Sequence, residues 1–183
     1  GELLLHASLP SKKRTYVTTL GTTSQDFVNE YQQWKDFSSE LGLSVSFEVV
    51  QSYGLSFDSV VDHAHCIIST SVAEGFGLGF IEPWVFGKTL MGRDLSEITV
   101  DFKNLGIEFN RLYDSIPVPI SIFHFDEFRF RLKSMIKSYQ ESYGVQFEDS
   151  WLEDWISLSV KDMKIDFARL DEIAQREVIE SVQ

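Results

Sequence analysis

The sequence predicts an α/β protein, a Rossmann-like parallel sheet flanked by helices and followed by a C-terminal helical tail. Three observations predict it. Runs rich in β-branched and aromatic residues at 14–20, 43–50 and 66–70 are separated by stretches of helical periodicity, and strands alternating with helices imply parallel neighbours joined by crossovers. Three glycines, Gly75, Gly77 and Gly79, stand directly after the third run, at a strand-to-helix turn. From Phe125 onward the apolar residues recur at helical spacing, and acidic side chains accumulate towards the end.

The elements follow in order. Arg14 to Leu20 reads as a strand stopped by Gly21. Ser24 is placed as an N-cap, and Phe27, Tyr31, Trp34, Phe37 and Leu41 form a helical stripe ending at Gly42. Leu43, Val45, Phe47 and Val49 alternate with polar residues, which predicts a strand over 43–50. Ser56 caps a short helix to about residue 64, with Phe57, Val60 and Val61 inward. Residues 66–70 form the third strand, a helix covers 79–87, and Thr89-Leu90-Met91 supplies a fourth strand. Because proline is tolerated only near a helix start, Pro83 places that start close to Gly79 and leaves Glu74 in the loop before it. The pattern weakens beyond residue 95. The segment 116–120 is an extended connector set by Pro117 and Pro119. Phe125, Phe128, Leu132, Met135, Ile136 and Tyr139 predict a helix ending at Gly144, Trp151, Leu152 and Trp155 a second, and Phe167, Leu170, Ile173, Ala174 and Val178 a last one. The aromatic stripes at 27–41 and 125–143 are read as core. The layout is a Rossmann-like domain over 1–145 and an acidic helical extension over 146–183.

Composition narrows the function. With 183 residues, 43% hydrophobic and 14% aromatic, the chain can build a sizeable core. A net charge of −12 argues against a nucleic-acid groove or a polybasic membrane surface. Residues 148–183 hold ten acidic and four basic side chains, about half of that charge. One cysteine, Cys66, forms no internal disulfide and fits a reducing compartment. No apolar run spans a membrane and no signal-peptide pattern opens the chain, so a cytoplasmic protein is expected. Starting at Gly1-Glu2 without methionine, the sequence reads as a piece of something longer.

Glu74 and Glu82 bracket the glycine run Gly75-Phe76-Gly77-Leu78-Gly79-Phe80-Ile81. Glycines let backbone amides approach a ligand, and a helix start offers unpaired donors and a partial positive charge suited to phosphate. Ionised carboxylates accept hydrogen bonds and so suit sugar hydroxyls. Together these point to a phosphorylated sugar, with a nucleotide sugar as the leading candidate. The plainer alternative is that the glycines only let a helix pack tightly on a sheet, with Glu82 facing solvent.

Eight helical positions separate Glu74 from Glu82 by about 12 Å, wide for the roughly 5–9.5 Å of a glycosidase pair. A dinucleotide site would use Gly75 and Gly77, with Asp94 on the ribose, but Phe80 occupies the third glycine position. His63, His65 and Cys66 with Asp62 suggest a metal, yet neighbours on a strand face opposite ways, so no metal site is expected. Ser69-Thr70-Ser71 lacks the glycines of a nucleophile elbow.

The stretch from Ser69 to Lys88, with Glu74-Gly75-Phe76-Gly77-Leu78, Glu82 eight positions on and Gly87-Lys88 after it, closely resembles the signature of family 4 retaining nucleotide-sugar glycosyltransferases. Leu55-Ser56-Phe57-Asp58 also fits that family's turn into a short helix, and Gly92 to Ile98 fits its next loop. The resemblance is specific over 55–98 and architectural from 14 to 143. It implies the C-terminal, donor-binding half of a GT-B fold and transfer of a hexose from a nucleotide-diphosphate sugar. Glu74 would bond the transferred sugar as the catalytic-site carboxylate, and Glu82 would bond the ribose. The amides of Gly75, Phe76, Gly77 and Leu78 would line the sugar and phosphates, Gly21 and Thr22 would lie at the diphosphate, and Ser52, Tyr53 and Gly54 near the base. No cofactor and no metal are implied, because basic side chains and helix dipoles stabilise the leaving diphosphate. The expected partners are the donor and a missing N-terminal acceptor domain of the same chain, which leaves this piece alone inactive.

One departure matters. The family places an Arg and then a Lys after the glycine that ends its first strand. Here Gly21 is followed by Thr22, Thr23, Ser24, Gln25 and Asp26, with Lys12, Lys13, Arg14, Lys88 or Arg93 as substitutes. That absence and the acidic tail motivate a rival reading, a degenerate Rossmann-like module used for protein association.

Overall fold

Strand pairing organises the chain. The computed structural model describes residues 1–10, 14–73, 77–146, 148 and 150–183, and the chain divides into a unit of 2–115 and a unit of 116–183 with Gly1. The domain boundary expected from the sequence lies at 145/146. The contacts change at 115/116, because 117–119 pairs with 164–166 and so joins the C-terminal residues.

The first unit is an α/β fold with parallel strands flanked by helices, Rossmann-like as expected. β1 (Tyr16–Val17) pairs with β2 (Val45–Ser46), and β3 (Cys66–Ser69), β4 (Thr89–Arg93) and β5 (Leu112–Tyr113) pair side by side, all parallel. The helices are α1 (Glu2–Ser8), α2 (Val28–Glu40), α3 (Val49–Tyr53), α4 (Phe57–His63), α5 (Leu78–Val85) and α6 (Ser96–Asn104). Ser56 caps α4 by accepting from the Ser59 amide at 3.1 Å. The core around β4 is Phe80, Leu90 and Leu95, backed by Ile67, Ile98, Phe102, Phe109 and Leu112. Apolar burial of this kind supplies most of the drive to fold.

The second unit holds β6 (Pro117–Pro119), α7 (Phe125–Tyr143), α8 (Trp151–Ser159), β7 (Val160–Lys161), β8 (Lys164–Asp166) and α9 (Glu172–Ser181). The strands form an antiparallel sheet in the order β6-β8-β7. β6 is an edge strand, where prolines are tolerated, and Val118 between its two prolines faces Ile165, both buried. Asp162 and Met163, at φ 51° and 58°, make the two-residue turn between β7 and β8, with both central residues left-handed as in a type I′ hairpin. Asp171 caps α9 through the Ala174 amide at 2.9 Å and receives Arg131 of α7 at 2.6 and 3.0 Å.

Several expectations are corrected. The strand over 43–50 is only Val45–Ser46; Glu48 turns left-handed at φ 55°, and the amides of Val49 and Val50 donate to Thr18 and Thr19 carbonyls at 2.9 and 3.1 Å, starting α3 instead. The last helix begins only at Glu172, because Asp166 and Asp171 each cap a separate turn. The loop expected at 92–98 is the end of β4 and the start of α6. The stripes are not core throughout: Phe27, Met135, Tyr139 and Tyr143 are exposed, as is Phe57 of α4.

Gly92 pairs with both Ser69 and Leu112, and a Cβ there would stand 1.9 Å from the Ser69 carbonyl oxygen, at φ 132°. Only glycine fits. Gly92→Ala is therefore expected to lower stability by about 3 kcal/mol or more, read by urea denaturation; a loss under about 1 kcal/mol would mean that β3 and β4 can part without cost.

Candidate functional site

In open parallel α/β sheets ligands sit beyond the carboxyl ends of the strands, and most of the predicted site residues stand there in two groups. The first follows β1 and β2. The Gly21 amide donates to Gln51 Oε1 of α3 at 3.3 Å, which brings the Gly21-Thr22 turn to the helix carrying Ser52 and Tyr53. Thr22 Oγ1 accepts from the Ser24 amide at 3.3 Å. Tyr53 is 69% exposed and Ser52 is exposed, at the end of α3 before left-handed Gly54.

The second group follows β3. Gly77 is the N-cap of α5 at φ 70°, and a Cβ on it would lie 2.3 Å from Ile98 Cγ2 and 3.1 Å from Phe102 Cε2. The glycine is thus required both by its backbone angle and by the closeness of α6. Leu78 opens α5, half exposed, and Glu82 is exposed one turn further on, with no hydrogen bond or ion pair to any described residue. Phe80 between them is fully buried, edge-on to Phe109 at 6.1 Å. Pro83 lies in the second turn of α5, later than a first-turn position, so the Gly79 carbonyl lacks its usual partner. Glu74, Gly75 and Phe76, the expected catalytic carboxylate and its neighbours, lie outside the described residues, as do Lys12 and Lys13.

The substitute cations are otherwise engaged. Arg93, at the end of β4, is 4% exposed and donates to Glu2 Oε2 at 3.1 and 2.7 Å and to the Asp114 carbonyl at 3.2 Å. Its guanidinium also lies 5.9 Å from the Tyr113 ring centroid. Lys88 precedes β4, at the opposite end of the strands, and donates to the Asp62 carbonyl at 2.8 Å. Arg14 precedes β1 and is exposed. A cation that no sequence pattern marks does reach the first group: Lys35 of α2, whose Nζ is 3.0 Å from Glu48 Oε2. Fourteen positions separate it from Gly21, so only the packing of α2 beside β2 reveals it. Lysine side chains lean towards the start of their helix, which carries this one to the carboxyl ends.

The Glu2–Arg93 pair continues into a polar network. The Tyr113 hydroxyl donates to Glu2 Oε1 at 2.5 Å, which leaves His6 Nε2, 2.8 Å away, to donate to the hydroxyl oxygen. Burial holds the His6 imidazole below its ordinary range, against Glu2, which raises it, while Arg14 lowers it further.

The rival chemistries find other uses for their residues. Asp94 accepts from Thr99 Oγ1 at 2.5 Å and pairs with Lys103, so it is engaged at the start of α6 rather than presented to a ribose. His63 Nδ1 meets the Ser59 carbonyl at 2.8 Å, Cys66 Sγ meets Met91 Sδ at 3.5 Å, and His65 is exposed. Among the described residues no three His, Cys, Asp or Glu side chains gather around one point. Among them also, no helix is long and apolar enough to cross a membrane.

Two outcomes test the network. Arg93→Met leaves Glu2 buried without its partner and is expected to cost about 3–5 kcal/mol, measured by urea denaturation. In the unfolded chain His6 titrates near its ordinary 6.5 and in the fold only at lower pH. The unfolded chain therefore binds more protons in that window, and the His6 contribution, whole above the ordinary value, is lost as pH falls towards the native one. His6→Gln, which retains a donor for Tyr113, is expected to flatten the stability profile as pH falls below the ordinary histidine value of 6.5; an unchanged slope would assign it to other groups.

No protein-family model, no curated protein and no solved structure gives a significant match to this chain.

Proposed function

We propose that the parallel α/β unit is the donor-binding half of a retaining glycosyltransferase, which transfers a hexose from a nucleotide-diphosphate sugar. The observation that carries the reading is the turn after β3. Left-handed Gly77 starts α5, and Glu82 stands exposed on that helix at the spacing the resemblance assigns to the ribose ligand. A helix start presents amide donors to phosphate oxygens, and a free carboxylate accepts from two adjacent hydroxyls. Glu74, eight positions before Glu82, would meet the sugar. The turn formed by Gly21 and Thr22 would face the diphosphate, and Ser52 and Tyr53 the base, with the exposed Tyr53 ring offering it a stacking surface. Transfer requires an acceptor-binding half, so these residues alone are expected to bind a donor and turn over little.

The rival reading, a Rossmann-like module for protein association, draws on one observation: Arg93 and Lys35 at the carboxyl ends already hold carboxylates.

Titration of the protein with UDP, GDP, ADP and their sugar conjugates separates the two by melting temperature, which a ligand of the folded state raises. A shift selective for one base is expected. Glu82→Ala should then weaken that nucleotide about tenfold or more, as loss of charged hydrogen bonds does. Unchanged affinity would remove Glu82 from the ribose, and no shift with any nucleotide would favour the association module.

A further inference from the structure

Glu48 is a left-handed residue without being glycine, at φ 55° and ψ 40°. Such strain persists only where the surroundings over-determine it, and it gathers at functional sites. The surroundings here are plain. Its amide donates to Thr18 Oγ1 at 2.9 Å, its carbonyl accepts from Ser52 at 2.7 Å, and the next two amides are tied to the carbonyls after β1. The outcome is a carboxylate aimed across the end of β1. Oε2 holds Lys35 Nζ at 3.0 Å, while Oε1 lies so close over Gly21 that a Cβ on that glycine would be 2.3 Å away. An anionic group thus sits between a lysine and a glycine turn, beyond the carboxyl ends of two parallel strands.

The other cations narrow the assignment. Arg93 is buried against Glu2, and Lys103 is paired with Asp94. Lys88, Arg111 and Arg14 precede β4, β5 and β1, at the amino ends. Among the described residues of the first unit, Lys35 is then the cation at the carboxyl ends whose partner lies on a surface loop; its side chain is 28% exposed and that of Glu48 22%.

We infer that the Glu48 carboxylate is an internal stand-in for a ligand phosphate: a phosphate oxygen of the incoming nucleotide displaces it and takes Lys35. This rests on the donor-domain reading above and deepens it, by naming a phosphate-binding cation that no motif marks and the group that competes for it. A diphosphate carries more charge than one carboxylate and offers more acceptors to the same lysine and to the turn. Glu48 leaves by side-chain rotation, with its backbone held as before. Until a ligand arrives, the pair satisfies the lysine, and it makes phosphate binding an exchange of partners.

The test is calorimetric titration with the nucleoside diphosphate that gives the largest melting shift and, separately, with inorganic pyrophosphate, at low ionic strength. Glu48→Gln removes the competing charge and keeps an oxygen for Lys35; it is expected to tighten both probes by about fivefold, the upper end for a part-exposed ion pair. Lys35→Met is expected to weaken both by about tenfold or more, and the double variant to resemble Lys35→Met. Melting of the unliganded variants verifies folding. Binding to Glu48→Gln where the wild type binds nothing would also support the exchange. A nucleoside diphosphate bound equally by all four proteins overturns the inference and leaves the donor-domain reading standing. Weaker binding on Glu48→Gln overturns it too, making Glu48 a ligand contact. No binding by wild type or Glu48→Gln overturns both.

Discussion

Burial of one ring, Phe80, underlies the arrangement of the candidate site. It packs with Leu90 of β4 and Leu95 before α6, and it meets Phe109 edge-on. An aromatic side chain wholly removed from water is among the larger single contributions to a core. Because Phe80 sits in the first turn of α5, burying it fixes that helix on the sheet, and with it the amides at its start and Glu82 on its outer side. The same packing explains Gly77, where any side chain would collide with Ile98 and Phe102. A position that a dinucleotide-binding turn would fill with a third glycine is here the centre of the core.

The second constraint is electrostatic. In a chain with a net charge of −12 carboxylates outnumber cations, and three described cations of the first unit pair with carboxylates: Arg93 with Glu2, Lys103 with Asp94, Lys35 with Glu48. These pairs differ in consequence. Glu2–Arg93 is buried and hydrogen-bonded on several sides, so its partners cannot be exchanged without a large desolvation cost. Lys35–Glu48 is partly exposed and cheap to open. The same ion-pair chemistry therefore serves structure in one place and, in the proposed reading, ligand exchange in the other.

How much was legible in the sequence varies with the range of the signal. Ser56 as a cap, the strand at 66–69, the helix start near Gly79 and the long helix ending at Gly144 were all readable, because each depends on neighbours a few residues apart. The β7–β8 hairpin was not, since Asp162-Met163 lacks the Asn-Gly signature of its turn. Helix α6 was not read, and its first residues fell within the loop expected at 92–98, because its packing on Gly77 and Phe80, rather than a strong stripe, carries it. The alternation at 43–49 promised a longer strand than forms, because the hydrogen bonds that end it come from Thr18 and Thr19 of a distant segment.

What the sequence by itself determined is the α/β class, the glycine that starts α5 with Glu82 one turn on, and the net acidity of the chain. Local steric preference and composition carry these, and both are written along the chain. Only the tertiary structure decided which cations are available, that Glu48 is left-handed against Gly21, and that 116–145 belongs with the C-terminal residues. Each of those depends on side chains or strands that are remote in sequence and meet only when burial of the apolar core brings them together, and no periodicity records such a meeting.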